Sequence, residues 1–250
     1  MRDCRNRRPV GRVVGLWRYP VKSMAAEPLA AIDVSWHGFA GDRRWAFIRD
    51  GVTQSGFPWL TLREREDMSR YSPSFVDPAQ PDQSRVIVQT PLGVTHDVMD
   101  ATLAAELYPR GARVIKQNRG VFDTFPLSLI TTQTIAGMGE LVGARLEVQR
   151  FRPNILVEAA DPVPFVEDCW VGCVLRVGGM SVRVDKRDGR CAVITIDPQT
   201  TERNPAILRT VTRDRGGCLG VYGSTVQPGR VALNDLVFIE SSARSPLPQD

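Results

Sequence analysis

Short runs of β-branched and aromatic residues, separated by turns that contain Gly or Pro, recur along nearly the whole chain. Val13 to Tyr19 is such a run and ends at Pro20, while Gly178-Gly179 separates two others as a hairpin turn does. Helix-forming segments are short, and they do not alternate with the strand-like runs as a doubly wound sheet requires. The helix-forming segments span Asp100 to Leu107, Thr131 to Leu141 and Ala206 to Thr212. The sequence therefore predicts a mainly β protein with few short helices, built as two connected β-barrel-like units.

A boundary between the two units is predicted at residues 115 to 122, which divides the 250-residue chain into domains of residues 1–118 and 119–250. Within the first domain, Thr61 to Gln83 is polar and contains three prolines, which predicts an irregular surface loop. In the second domain, Ala192 to Ile196 is rich in β-branched residues and is predicted to be a strand.

The charge distribution favours a small anionic ligand over nucleic acid. The formal net charge is +4, but the 32 basic residues are scattered among 28 acidic ones. Scattered arginines and Gly-rich turns suit a phosphate-bearing small molecule, because the guanidinium group matches phosphate oxygens in a bidentate way. No stretch approaches the roughly 20 apolar residues of a membrane helix, and the first residues lack the apolar region of a signal peptide. We therefore expect a cytoplasmic protein that binds neither nucleic acid nor a membrane.

The histidine and cysteine content narrows the possible chemistry. With two histidines, His37 and His96, and no Gly-x-Ser-x-Gly sequence, a Ser-His-Asp hydrolase is not indicated. The same shortage of histidine argues against a structural zinc site at Cys169 and Cys173. Five cysteines is an odd number, so free thiols are expected rather than a disulfide framework.

Cys191 is the thiol that most invites a functional interpretation. It follows Arg190 in the segment Lys186 to Thr200, and a neighbouring positive charge favours the reactive, metal-binding thiolate. A small buried residue at the start of a strand is the commoner role of a free cysteine. The local composition leaves both alternatives open, and the decision depends on other parts of the chain.

Four separated segments carry a resemblance to a known family. They are, in order, Tyr19-Pro20-Val21-Lys22-Ser23, Gly41-Asp42-Arg43-Arg44-Trp45, Phe151-Arg152-Pro153-Asn154, and Arg190-Cys191 followed by Asp197-Pro198-x-Thr200. Together they resemble the MOSC-domain molybdenum proteins with an N-terminal MOSC β-barrel domain, a group that includes the mitochondrial amidoxime reducing components and bacterial relatives. The resemblance implies an N-terminal β-barrel-like domain packed on a C-terminal MOSC β-barrel domain.

The resemblance also implies a molybdenum cofactor, which is a sulfurated-oxo molybdenum centre on molybdopterin with a protein cysteine as metal ligand. Cys191 holds the matching position and would be both metal ligand and catalytic residue, with Arg190 beside it tuning the thiolate. The cofactor-binding positions that the family implies are Lys22, Ser23, Arg43, Thr124, Phe125, Arg152, Asn154 and Arg190. Asp42 and Trp45 are interpreted as structural, since Asp after Gly suits a turn and Trp often fills a core.

Three functions remain open on the sequence. The resemblance implies an oxidoreductase that removes oxygen from small N-hydroxylated or N-oxide compounds. The alternative is a carrier or binding module that holds the cofactor, or sulfur on Cys191, without reducing such substrates. The third is a degenerate family member with a structural function only. Mitochondrial relatives begin with a membrane-anchoring segment and some bacterial ones end in a ferredoxin-like domain. Neither pattern is evident here, so we expect no membrane attachment and a separate electron-donor protein.

Overall fold

The computed structural model describes residues 8–52 and 56–242, so the outer ends of the two predicted domains lie outside the described residues. The strands of the first half are β1 (Gly11–Arg18), β2 (Glu27–Pro28), β3 (Ala31–Ser35), β4 (Gly38–Phe39), β5 (Trp45–Arg49), β6 (Ser72–Phe75), β7 (Val86–Gln89), β8 (Thr95–Asp97) and β9 (Ala112–Lys116). Those of the second half are β10 (Leu127–Thr131), β11 (Ile155–Ala159), β12 (Cys173–Val177), β13 (Met180–Gly189), β14 (Cys218–Gln227), β15 (Gly229–Ala232) and β16 (Leu236–Ser242). The α-helices are α1 (Ala101–Leu107), α2 (Thr132–Val142) and α3 (Pro205–Arg215), and short 3₁₀ helices span Glu66–Arg70, Val148–Phe151, Val166–Trp170 and Ala192–Thr195. The prediction of a mainly β protein with few short helices is confirmed.

Seven strands close into a barrel. Hydrogen bonds join them in the order β1-β11-β10-β14-β13-β12-β16, and β16 returns to β1. Strands β10 and β11 run parallel, whereas the other neighbours in the ring are antiparallel. Closure pairs both edges of each strand, and the inward-facing side chains fill the interior. This barrel core is rich in β-branched residues, among them Val13, Val157, Val182 and Val221.

Strand β2 pairs with β1 outside the ring, and the remaining strands form sheets of order β15-β3-β4, β5-β9 and β6-β7-β8. The first of these sheets packs on the barrel core, to which it contributes Ile32, Val34, Phe39 and Val231. The other two sheets surround a second core. This second core combines aliphatic side chains with the aromatic ones of Trp45, Phe47, Tyr71 and Phe75. The two halves of the chain share strands, because β1 completes the barrel of the second half and β15 pairs with β3 of the first. This exchange holds segments from both halves side by side.

Helices α2 and α3 pack beneath the segment that holds Cys191. Thr131 caps α2, which ends at Gly143 in the left-handed conformation with φ of +70°. Asn204 caps α3, where a proline occupies the first turn. These caps confirm the two helices predicted from the sequence, and their apolar faces join Ile194 in a third core cluster. Among the described residues, no helix has the length and apolar character needed to cross a membrane.

Two local predictions are wrong. The segment after Cys191 is a 3₁₀ helix over Ala192–Thr195 instead of a strand, because Ile194 packs against the two helices and its N–H donates to the carbonyl of Cys191. That tertiary packing outweighs the β propensity of the sequence. The predicted irregular loop contains the 3₁₀ helix Glu66–Arg70 and strand β6. Strand β6 tolerates Pro73 because it lies at the edge of its sheet.

Candidate functional site

The four sequence segments converge on one cavity with a volume of about 270 Å³. Every residue predicted to bind the cofactor or metal lines this cavity: Lys22, Ser23, Arg43, Thr124, Phe125, Arg152, Asn154, Arg190 and Cys191. The wall also contains functional groups that the sequence did not single out, namely Arg63, Asp123, Ser128, Asp188 and Tyr222. Their roles stay predictions, but the tertiary structure brings the whole predicted set together.

The cavity wall contains three non-glycine residues with left-handed backbone conformations. The φ angles are +69° at Ser23, +49° at Arg43 and +52° at Arg152. A residue with a Cβ atom disfavours this region, at a cost of about 1–3 kcal/mol each. Such strain persists only where the surrounding structure determines the conformation, and it concentrates at functional sites.

The buried carboxylate of Asp42 accepts hydrogen bonds from residues of both halves of the chain, next to the cavity. Its Oδ1 atom accepts the backbone N–H of Tyr19 at 2.7 Å, and its Oδ2 atom accepts the Asn154 amide at 3.1 Å. The same oxygen accepts Nη1 of Arg43 and forms an ion pair with it. Asp42 is completely buried, so the structure supports its interpretation as a structural residue.

Asn154 uses both ends of its amide within the protein. Besides its bond to Asp42, Nδ2 donates to the carbonyl of Trp17 at 3.2 Å, and Oδ1 accepts the N–H of Ser128 at 3.2 Å. Arg43 is engaged in a similar way, since its Nη2 atom donates to the carbonyl of Arg152 at 3.1 Å. Both side chains therefore shape the cavity more than they offer free donors to a ligand.

Lys22 presents a nearly buried ammonium group at the wall. Its Nζ atom donates to the carbonyl of Val121 at 3.1 Å and forms an ion pair with Asp123. Burial lowers the pKa of Lys22, while the charge and hydrogen bond of Asp123 oppose that effect. Burial acts to raise the pKa of Asp123, but the charge and hydrogen bond of Lys22, together with the charges of Arg63 and Arg43, outweigh it, so the pKa is lowered.

Arg152 is the cavity guanidinium with the fewest protein partners. Its Cζ atom lies 4.3 Å from the ring centroid of Tyr19, which Arg43 also contacts at 4.4 Å. The Nη2 atom of Arg152 is buried and has no hydrogen-bond partner among the described residues. Burial lowers the pKa of Arg152 to about 10. A buried donor without a partner is costly, so this atom marks a place where a bound acceptor stabilises the site.

The sulfur of Cys191 lies in the wall and contacts a different arginine from the one predicted. Nη2 of Arg63 donates to Sγ at 3.3 Å across 128 positions of sequence. Arg190 directs its donors elsewhere, with Nε to the carbonyl of Leu219 at 2.8 Å and Nη1 to that of Phe151 at 2.7 Å. Tuning of the thiol by Arg190 stays a prediction. No local signal distinguishes Arg63, because it lies in a polar loop far from Cys191 in sequence.

A buried acid and a phenol complete the wall. Oδ2 of Asp188 accepts the Ser128 hydroxyl at 3.1 Å and pairs with Nη2 of Arg190 at 2.9 Å. Burial raises the pKa of Asp188. Burial, with the nearby charge of Asp188, also raises the pKa of Tyr222, so its phenol stays protonated. The Tyr222 ring centroid lies 6.1 Å from that of Phe125.

The charges around the cavity do not balance. The cationic lining residues are Lys22, Arg43, Arg63, Arg150, Arg152 and Arg190. Four of them have acidic partners, in the pairs Lys22–Asp123, Arg43–Asp42, Arg150–Asp197 and Arg190–Asp188. Within the part of the chain that the structure describes, Arg63 and Arg152 have no salt bridge. The same residues contain no cluster of three or more His, Cys, Asp or Glu side chains suited to a metal ion. The cavity is therefore suited to an anionic ligand beside a thiol.

The closed barrel and this cavity define a β-barrel protein with a cationic cavity next to a cysteine. The family follows from two sequence matches that together span most of the chain. A family model described as the MOSC N-terminal beta barrel domain matches residues 10–115, and one described as the MOSC domain matches residues 116–238. The chain belongs to the MOSC-domain family and has its N-terminal β-barrel domain, which confirms the predicted family and architecture.

Similar proteins include longer chains with named functions. A protein named molybdenum cofactor sulfurase from Drosophila grimshawi is 27% identical over 246 residues, covering 82% of this chain and 31% of that protein. Mitochondrial amidoxime reducing component 2 from Macaca fascicularis is 31% identical over 78 residues, covering 31% of this chain and 22% of that protein. The chain thus spans less than a third of the length of these relatives. The crystal structure of the YUAD protein from Bacillus subtilis shares the fold, with a TM-score of 0.50, 13% identity, and coverage of 91% of this chain and 93% of that one.

Proposed function

We propose that the protein is a molybdenum-cofactor-dependent reductase that removes oxygen from N-hydroxylated or N-oxide compounds. The observation that carries the proposal is the Cys191 sulfur in the wall of a cavity with two guanidinium groups that form no salt bridge with the described residues. A thiolate is a soft metal ligand, and guanidinium groups suit the phosphate and polar edge of a pterin cofactor. The names of the two relatives support a molybdenum cofactor and a reductive reaction at nitrogen.

The residues of the cavity fit such a cofactor. The buried, unpartnered Nη2 atom of Arg152 is a donor that a bound anionic group would satisfy. Cys191 would be the protein ligand to the metal, and the strained backbone at Ser23 would place its hydroxyl in the wall. Arg43 and Asn154 would act by shaping the cavity, because their donors and acceptors already have protein partners.

When bound, the cofactor would supply the acceptor for the substrate oxygen and the two electrons of the reduction. Conversion of an N–OH group to N–H also consumes two protons and releases water. Lys22 holds a proton on Nζ, where Asp123 and the carbonyl of Val121 orient it. Tyr222 holds another on its hydroxyl, because burial and Asp188 raise its pKa. Lys22 and Tyr222 would therefore place two protonated groups in the cavity wall, whose other residues would bind and orient the cofactor and the substrate.

The electrons would come from a separate donor protein, and the substrate would be a small N-oxygenated molecule. No nucleic acid or membrane is part of the proposed activity.

The test uses protein from a host that makes the cofactor. Molybdenum per chain is measured by metal analysis, and reduction of benzamidoxime is assayed with an artificial reductant. We expect bound molybdenum and turnover, with turnover lost in Cys191→Ala. Cys169→Ala is the matched control, because that thiol is exposed and lies outside the cavity, and it should retain both properties. A wild-type protein without molybdenum or turnover contradicts the proposal.

A cofactor or sulfur carrier is the second candidate, because a relative that matches most of this chain is named molybdenum cofactor sulfurase. Cys191→Ser separates the two. Retained cofactor with abolished reduction favours the reductase. Loss of protein-bound sulfur, in a wild-type protein that never reduces N-oxygenated compounds, favours the carrier.

A further inference from the structure

Arg63 and Arg152, the two cavity guanidinium groups without a salt bridge to any residue that the structure describes, occupy different environments. Arg152 is largely buried against Tyr19, whereas Arg63 is exposed and contacts the Cys191 sulfur. When a ligand is bound by Arg152, the Arg63 guanidinium remains accessible to a reactant that approaches the Cys191 sulfur. Arg63 is therefore the cationic group positioned to act on an incoming reactant.

Residues on both sides of Arg63 are held by packing or by hydrogen bonds. Leu62 is buried in the second core. The carboxylate of Glu64 accepts the N–H and the hydroxyl of Thr61 at 3.0 Å and 2.6 Å. The Arg63 guanidinium also lies 5.4 Å from the ring centroid of Phe57, within range of a cation–π interaction. These contacts place the Arg63 charge beside the Cys191 sulfur.

We propose that Arg63 is a specificity-determining residue that favours anionic reactants at Cys191 and disfavours cationic ones. A guanidinium group carries five N–H donors, so the one donated to Sγ leaves others for a reactant. The charge attracts a negative group and repels a positive one at the same distance. The claim that Arg63 selects among N-oxygenated substrates rests on the proposed function. The claim that Arg63 selects reactants by their charge at the Cys191 sulfur is independent of that function.

The first experiment uses the unloaded protein and two alkylating reagents, anionic iodoacetate and neutral iodoacetamide. In both reactions the Cys191 thiolate displaces iodide, so that an S–C bond forms and a C–I bond breaks. The ratio of the two rates cancels the thiolate fraction and reports the local charge. Peptide mass spectrometry assigns the modification to Cys191 rather than to the other thiols.

Arg63→Gln should lower the iodoacetate-to-iodoacetamide ratio about fivefold, which is the effect of one unit charge about 4 Å away in water. Arg63→Lys should retain most of the ratio. Arg70→Gln is the matched control, because Arg70 is exposed, close in sequence and outside the cavity, and it should leave the ratio unchanged. High salt should reduce the wild-type ratio towards that of Arg63→Gln. An unchanged ratio in Arg63→Gln overturns the inference.

The second experiment uses the loaded enzyme and benzamidoximes that carry a para carboxylate or a para trimethylammonium group. The wild type should prefer the carboxylate, and Arg63→Gln should reduce the ratio of kcat/KM values by a similar factor. A lowered alkylation ratio with an unchanged substrate ratio overturns the role in substrate choice. A lowered alkylation ratio in a protein that reduces no amidoxime supports charge selection by Arg63 and overturns the proposed reductase function instead.

Discussion

Replacement of Asp42 by Asn tests whether the buried carboxylate holds the site together. Asp42 accepts Tyr19 N–H, the Asn154 amide and the Arg43 guanidinium, and its own side chain is 0% exposed. An asparagine has one oxygen and one NH₂ group, so at least one of these donors must face another donor. The charge of Arg43 also loses its counter-ion in a side chain that is 14% exposed.

Breaking a buried pair in this way costs about 3–5 kcal/mol, because an uncompensated charge remains. We expect Asp42→Asn to lower the free energy of unfolding by about 3 kcal/mol, near the lower limit, since Asn keeps the shape of the side chain. For a chain of this size, that corresponds to a fall in Tm of roughly 6–12 °C. Urea titration, followed by the tryptophan fluorescence and with the slope compared between variants, measures the change.

Asp33→Asn is the matched control, because Asp33 pairs with Arg230 at 2.8 Å while their side chains are 70% and 63% exposed. An exposed pair contributes about 0–1 kcal/mol, so this variant should stay close to the wild type. The reasoning is refuted if the two asparagine variants lose the same stability. It is also refuted if Asp42→Asn unfolds at the wild-type urea concentration.

Other substitutions test further parts of the structure. Glu167→Ala should lower the free energy of unfolding by about 1–3 kcal/mol, measured by thermal unfolding, because the buried carboxylate accepts the hydroxyls of Thr131 and Thr134, which would lose this acceptor. The pKa of Asp123 is lowered in the folded state because Lys22, Arg63 and Arg43 together outweigh the effect of burial, so the stabilising contribution of this carboxylate is present above about pH 4 and is lost on acidification. Urea midpoints on either side of that pH should therefore differ less in Asp123→Asn than in the wild type. Arg152→Met should leave Tm unchanged or raise it, because a buried charge without a salt bridge is removed, but it should lower the molybdenum content of protein made in a cofactor-producing host. A destabilised Arg152→Met variant that keeps its molybdenum would contradict this assignment.

Local features of the fold could be predicted because near neighbours determine them. The helix caps at Thr131 and Asn204 depend on side-chain bonds within a few residues, and the structure contains both. The strand predicted after Cys191 failed because Ile194 is buried against helices that are distant in sequence. The β propensity of a segment depends on its own residues and carries no information about the helices that pack against it.

The sequence by itself determined the β-rich class, the presence and N-terminal caps of the helices α2 and α3 and, through short segments, part of the set of residues that line the cavity. Only the tertiary structure decided how those residues interact. In the structure, Arg63 donates to the Cys191 sulfur and Arg190 donates to backbone carbonyls. Asp42 accepts hydrogen bonds from Tyr19, Arg43 and Asn154. The physical reason is that these contacts join segments from both halves, and their distances are set by barrel closure and by the strands that the halves share.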